Sequence, residues 1–160
     1  MLIIFREDDK FTTPEKIDDV VSAEIPDPVT HPRLYELVTR HMIHGPCGLA
    51  DPDSPCMEDG KCKAHFPKEF SKTTELNVGG YPLYRRREME PVTISRKSKT
   101  KPYEYKEHLI DNRNVVPYNA GLLLKYDCHI NVEICTSVSS VKYIYKYIYK
   151  GRSIVILTFK

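Results

Sequence analysis

The spacing of apolar residues along the chain predicts two helices near the start. Leu34, Leu37, Val38 and Met42 recur at helical spacing and predict a helix from Pro32 to about Ile43. An earlier helix is expected to begin at the cap-and-proline pair of residues 13–14 and to end at the proline turn of residues 26–28. A third, short helix is expected after a turn in NVVPYNAGLLLKY, residues 114–126.

Short runs of branched and aromatic residues predict strands between and after these helices. The runs are MLIIF at the start, GGYPLYRRR and EPVTISR in the middle, HINVEIC at 129–135 and SIVILTF at 153–159. HINVEIC alternates, so Ile130, Val132 and Ile134 share one face. The opposite face carries His129, Asn131, Glu133 and Cys135, an unusual set for a buried core. Helices and strands together predict an α+β fold.

The stretch VKYIYKYIYKG, residues 141–151, fits either a strand or a helix. In a strand, all four tyrosines share one face. In a helix, Tyr143 pairs with Tyr147 and Tyr145 pairs with Tyr149, because residues four apart are neighbours. Hydroxyl residues ahead of the stretch and Gly151 behind it are typical helix caps. We therefore predict a tyrosine helix over 137–151.

Composition places the chain among soluble globular domains. It has 160 residues, of which 41% are apolar and 29% are charged, and the printed sequence contains neither a signal peptide nor an apolar run of membrane-spanning length. We expect residues 1–160 to form one domain with no membrane partner.

Charge is divided unevenly between the two halves. Residues 1–80 hold 9 basic and 15 acidic side chains, whereas residues 81–160 hold 15 and 7. Basic runs interleaved with tyrosine, at YRRR and SRKSKTK, favour a single-stranded nucleic acid as partner, with Arg85, Arg86 and Arg87 as candidate contacts. The alternative is an ordinary solvated surface.

A segment rich in Gly, Pro, Asp and Cys follows the second helix and needs a cross-link, because it has few apolar residues. Cys47, Cys56 and Cys62 lie within it, with His44 before and His65 after. Zinc takes four such ligands in a tetrahedron. We expect residues 44–66 to bind structural zinc through the three cysteines and His44, with His65 as the alternative fourth ligand. Five cysteines, an odd number, argue against a disulfide framework.

An ordered series of motifs resembles the replication-initiator (Rep) domain of Helitron transposons, which are rolling-circle elements. The series runs SAEIPDP, HMIHGPCG, SPCMEDGKC, FPKEF, GYPLYRRR, DNRNVVPYN, LLLKYDCHINVEIC and KYIYKYIYKG. The resemblance implies an antiparallel-sheet Rep-like nuclease core with flanking helices and a Cys/His zinc-binding insertion. It also implies nuclear localisation, single-stranded DNA as partner, and fusion to an ATP-dependent DNA helicase.

The resemblance further implies a tyrosine DNA endonuclease and transferase that nicks and joins single strands. Tyr143 and Tyr147 map onto the two nucleophiles, and Lys146 and Lys150 are cations that favour the phenolate. Tyr145 and Tyr149 are then implied to stack on DNA or to pack in the core, and Lys150 is also implied to contact DNA. The family binds Mg²⁺ or Mn²⁺ through a His-hydrophobic-His (HUH) pair, and His129 or Glu133 is a candidate third ligand.

Two of the family's motifs are absent from the printed sequence. It contains no His-x-His, since His41 and His44 are separated by two residues, and it contains no P-loop of a helicase. We therefore expect a partial Rep domain that begins just after the HUH pair and is inactive alone as a nickase. The alternative function is a non-catalytic, zinc-stabilised module that binds single-stranded nucleic acid.

Overall fold

Three α-helices form in the part of the chain that the computed structural model describes, which comprises residues 2–4, 10–76, 81–97, 105–135 and 156–158. Two of them start with a proline as their first residue, and Asn119 caps the third. Helix α1 spans Pro14–Asp18, α2 spans Pro32–His41 and α3 spans Ala120–Tyr126. The predictions of α2 and α3 are confirmed. The first helix begins where predicted, with the Thr13 hydroxyl accepting from the Lys16 N–H, but it ends well before the proline turn.

The strands form three short pairs. They are β1 (Leu2–Ile4), β2 (Met57–Glu58), β3 (Lys61–Cys62), β4 (Val92–Lys97), β5 (Tyr105–Ile110) and β6 (Ile156–Thr158). β2 pairs with β3 and β4 with β5, both antiparallel, whereas β1 and β6 are parallel. The described fold is thus mixed, with helices and small strand pairs. The predicted tyrosine helix of 137–151 lies outside the described residues.

The main core lies between α2 and α3. Leu37 and Val38 of α2, Met42 at its C-terminal end and Leu123 of α3 are all fully buried there. Val115 joins them from the segment that precedes α3. A second, smaller cluster unites Ile17, Val21, Ala23 and Tyr84, with Val132 and Ile134 packed against it.

Two predicted strands differ from the structure. HINVEIC does not form a strand, although its alternation holds: Ile130, Val132 and Ile134 are half-buried, and the residues between them are exposed. Single hydrogen bonds hold it, from the Val132 N–H to Pro117 and from the Ile134 N–H to the Tyr84 hydroxyl. In the described part of GGYPLYRRR, residues 81–87, only isolated bridges form, through Leu83 and Arg86. The prediction of strands there was wrong because each segment packs on loops.

Candidate metal centre

A tight hairpin places two cysteines side by side. Cys56 precedes β2 and Cys62 ends β3, and the Lys63 N–H donates to the Cys56 carbonyl at 2.8 Å. The two-residue turn between the strands is Asp59-Gly60, with φ of 49° and 73°. Asp-Gly is favoured in such turns because both residues must adopt positive φ. The local sequence therefore fixes the separation of the two thiols.

The loop that follows α2 brings the other two candidate ligands to this hairpin. His44 is anchored to the core segment, since its N–H donates to the Asn114 carbonyl at 2.8 Å. Gly45 then turns the chain with φ of 105°, a conformation that disfavours other residues. The Gly48 N–H donates to the Met57 sulfur at 3.2 Å, which joins the loop to the hairpin.

His44, Cys47, Cys56 and Cys62 converge, with one ligand atom from each and all four atoms within 4.8 Å of one another. The Cys62 sulfur lies 3.3 Å from Nε2 of His44. Metal–ligand bonds of about 2.0–2.3 Å in a tetrahedron place ligand atoms at separations of this order. This cluster can hold a metal ion. His65 is exposed and is not a member of the cluster.

The pKa values of His44 and Cys62 are shifted in the direction that favours metal binding, whereas that of Cys47 is shifted the other way. Burial, and then the charge of Lys68, lowers the pKa of His44, which keeps the imidazole neutral and able to bind a metal. Burial acts to raise the pKa of Cys62, but N–H groups of Phe66 and Ala64 lower it overall. Burial and the neighbouring thiols raise the pKa of Cys47 to about 12. Without a metal, Cys47 therefore stays a protonated thiol at neutral pH, and a bound metal ion would favour its thiolate form.

An aromatic and cationic layer supports the histidine. The Phe66 ring stacks on His44 with centroids 4.2 Å apart and an angle of 14° between the planes. The Lys68 ammonium lies 4.9 Å from the Phe66 centroid and donates to the Ala64 carbonyl at 2.8 Å. Sequence reasoning missed Phe66 and Lys68 as supports of His44. Their place in FPKEF, which begins four residues after Cys62, was the available signal.

The three arginines predicted to contact DNA lie in different environments. Arg86 is only 4% exposed, and its Nη1 donates to the carbonyls of Ala23, Asn112 and Val115. That geometry gives it a structural role. Arg85 and Arg87 both pair with Glu24, and Arg87 is the more exposed of the two, at 63% of its side chain against 35%.

His129 and Glu133, the two candidate third ligands of a nuclease metal, form hydrogen bonds with other groups of the protein. Nδ1 of His129 lies 2.7 Å from the His41 carbonyl and donates to it. Glu133 is an exposed residue, yet desolvation of its carboxyl group raises the pKa, against hydrogen bonds from Tyr84 and Asn131 and the charge of Arg86, which lower it. Within the described ranges, neither His129 nor Glu133 belongs to a group of three or more potential metal ligands.

The remaining predicted site residues, Tyr143, Tyr145, Lys146, Tyr147 and Lys150, lie outside the described residues.

Comparison with known proteins gives no family. No family model matches the chain, and no curated protein matches it. Among the helices that the structure describes, none has the length and apolar character needed to cross a bilayer.

Proposed function

We propose that this chain is part of a rolling-circle initiator that nicks and joins single-stranded DNA, and that zinc stabilises its His44, Cys47, Cys56 and Cys62 loop. The observation that carries the proposal is the convergence of these four side chains. Two segments of the ordered motif series, HMIHGPCG and SPCMEDGKC, supply all four of them. The resemblance and the cluster thus support each other.

Zinc suits the donor set better than other common metals. One imidazole and three thiolates are soft or borderline ligands, which favour zinc over magnesium or manganese. A complete four-ligand protein set leaves no open position for water, so the metal is structural. The loop it closes has little apolar surface of its own, and the metal contributes most to folding in such a loop.

The catalytic part of the proposal rests on the tyrosines. Tyr143 and Tyr147 would attack the scissile phosphates, leaving a 5′ phosphotyrosine and a free 3′ hydroxyl. Lys146 and Lys150 would favour the phenolate form. The sequence places Tyr145 and Tyr149 in the same stretch, with the same spacing. These two residues therefore serve as matched controls.

The test is covalent attachment of the chain to single-stranded DNA, read on a denaturing gel and by mass, with Mg²⁺ or Mn²⁺ present. Because these 160 residues contain no His-x-His pair, the assay compares this chain with a version extended upstream by such a pair. We expect an adduct in the extended protein. It should be lost only when Tyr143 and Tyr147 are both replaced by Phe. It should persist when Tyr145 and Tyr149 are replaced by Phe, because Phe keeps the rings that stack on DNA or pack in the core.

Two results would change the proposal. An adduct that survives in the Tyr143→Phe/Tyr147→Phe variant would move the nucleophile elsewhere. No adduct in either protein, with oligonucleotide binding retained, would leave the second candidate function, a zinc-stabilised module that binds single strands without cutting them. The observation that favours this candidate is Arg87, whose side chain is 63% exposed although it forms an ion pair with Glu24.

A further inference from the structure

Two segments that are distant in sequence line a cleft. Residues 70–72 and residues 86–88 surround a cavity of about 460 Å³. Two backbone hydrogen bonds join the segments: the Ser71 N–H donates to the Arg86 carbonyl at 3.0 Å, and the Arg86 N–H donates to the Ser71 carbonyl at 2.8 Å. Pockets for small ligands usually measure about 300–1,000 Å³. The cleft therefore has room for a ligand of that size.

Phe70 gives the cleft an aromatic side. Its ring is half-buried, and the guanidinium carbon of Arg113 lies 4.6 Å from the ring centroid. Arg113 is fixed in turn, because its Nη2 donates to Oδ2 of Asp111 at 2.7 Å. A ring that is held in place before binding loses little freedom when a flat partner stacks on it. A nucleobase is such a partner, since every base has a face that stacks on an aromatic ring.

Positive charge is in excess around the cleft. Three cations line it, namely Lys72, Arg86 and Arg87. One lining residue, Glu88, carries a carboxylate, and Glu24 pairs with Arg87 from outside the lining. Lys72 is exposed, and among the residues that the structure describes no carboxylate forms an ion pair with it. A phosphate group would therefore be attracted to the side of the cleft that Lys72 lines.

We propose that this cleft binds one unpaired nucleotide of single-stranded DNA, with the base stacked on Phe70 and the phosphate bound by Lys72 and Arg87. This inference rests on the proposed function, because it names where the strand would lie on the protein. It gives Arg86 the role of holding the cleft together rather than of touching the DNA. A paired base stays within the stack of a duplex and cannot reach the ring, so the cleft favours single strands.

The test compares two double variants that each lose one aromatic ring and one ammonium group. The cleft variant is Phe70→Leu/Lys72→Gln. The control is Lys125→Gln/Tyr126→Leu, since Tyr126 is 56% exposed and the Lys125 ammonium lies 5.4 Å from its ring centroid. Fluorescence anisotropy measures binding to a labelled single strand, to the matching duplex and to an abasic strand of the same length, at several salt concentrations. Because Phe70 is half-buried, circular dichroism checks the folding of the cleft variant, and Lys72→Gln is also measured alone.

We expect the cleft variant to bind the single strand about tenfold or more weakly than the wild type, from the loss of one stacked base and one phosphate contact. Lys72→Gln alone should make the plot of log affinity against log salt shallower by about 0.7, the value for one lost contact to a single strand. Glu88→Gln should strengthen binding, because it removes a carboxylate that repels phosphate. The control should bind as the wild type does. The wild type should prefer the normal strand to the abasic one, and the cleft variant should lose that preference.

The outcomes separate this inference from the proposed function. A wild type that binds single strands, with Lys72→Gln unaffected or the control variant weakened as much as the cleft variant, would overturn the cleft alone. A wild type that binds no single strand would overturn both. Equal affinity for strand and duplex, or for normal and abasic strands, would overturn the assignment to an unpaired base. Binding through the cleft without a covalent adduct would support the cleft and contradict the nicking activity.

Discussion

Arg86 gives the sharpest prediction about the basic run YRRR. Its Nη1 donates at 2.7 Å to the carbonyls of Asn112 and Val115 and at 3.3 Å to that of Ala23. Arg86→Met keeps the apolar stem and removes all three bonds. The run looks uniform in sequence, so the variant separates a structural arginine from a DNA contact.

The structure sets the size of the effect. The two short bonds involve a charged donor, and each contributes about 1.5 kcal/mol at the low end of the usual range. The Asn112 carbonyl keeps a second, longer bond from the Val115 N–H at 3.3 Å. Burial of the guanidinium lowers the pKa of Arg86 to about 10, and methionine avoids that desolvation cost. We expect Arg86→Met to lower the free energy of unfolding by about 2 kcal/mol and the melting temperature by about 4–8 °C.

The assay is urea unfolding followed by circular dichroism, with Arg87→Met as the matched control. Arg87 is exposed, and Glu24 keeps Arg85 as a partner when Arg87 is removed. The free energy of unfolding of Arg87→Met should therefore fall by less than about 1 kcal/mol. An Arg86→Met protein as stable as the wild type, with weakened DNA binding, would refute this reasoning and restore Arg86 as a DNA contact.

Two further predictions concern other contacts. Hydrogen bonds from Arg40 and His41 lower the pKa of Asp127 from 3.8 to about 2, so its stabilising effect is complete above pH 4 and is lost as the pH falls through about 2. Asp127→Asn should therefore lower the melting temperature at pH 7 and lower it much less near pH 2, whereas an equal drop at both pH values would contradict this. Tyr84→Phe removes the hydroxyl that accepts from the Ile134 N–H. We expect the free energy of unfolding in urea to fall by about 1–2 kcal/mol and the amide of Ile134 to exchange faster. Unchanged exchange there would show that the hydroxyl does not hold the segment.

Local signals made part of this structure predictable. Helix α2 follows from apolar spacing and from a proline at its first position. The four clustered ligands follow from residue types concentrated within 19 residues, because so short a loop keeps them close whatever the rest of the fold does.

Other features depend on residues that are distant in sequence. The partners of Arg86 come from residues 23, 112 and 115, and no pattern near YRRR indicates them. Glu24 lies 63 residues from Arg87, so its ion pair could not be predicted either. In HINVEIC, alternation correctly predicted which side chains face the core. It could not predict strand pairing, because pairing needs a neighbouring strand. The Val132 N–H donates to the carbonyl of Pro117, a loop residue, instead.

The most direct test of the account is the metal content of the purified chain, by native mass spectrometry with cobalt substitution as a second readout. We predict one zinc ion per chain, and a cobalt form with the thiolate charge-transfer bands of a tetrahedral site. Cys47→Ser and His44→Ala should lose or weaken both signals, and chelation should lower the melting temperature of the wild type. His65→Ala is the matched control and should keep zinc. A wild type that holds no zinc, or a His65→Ala variant that loses it while His44→Ala retains it, would contradict the proposed metal centre.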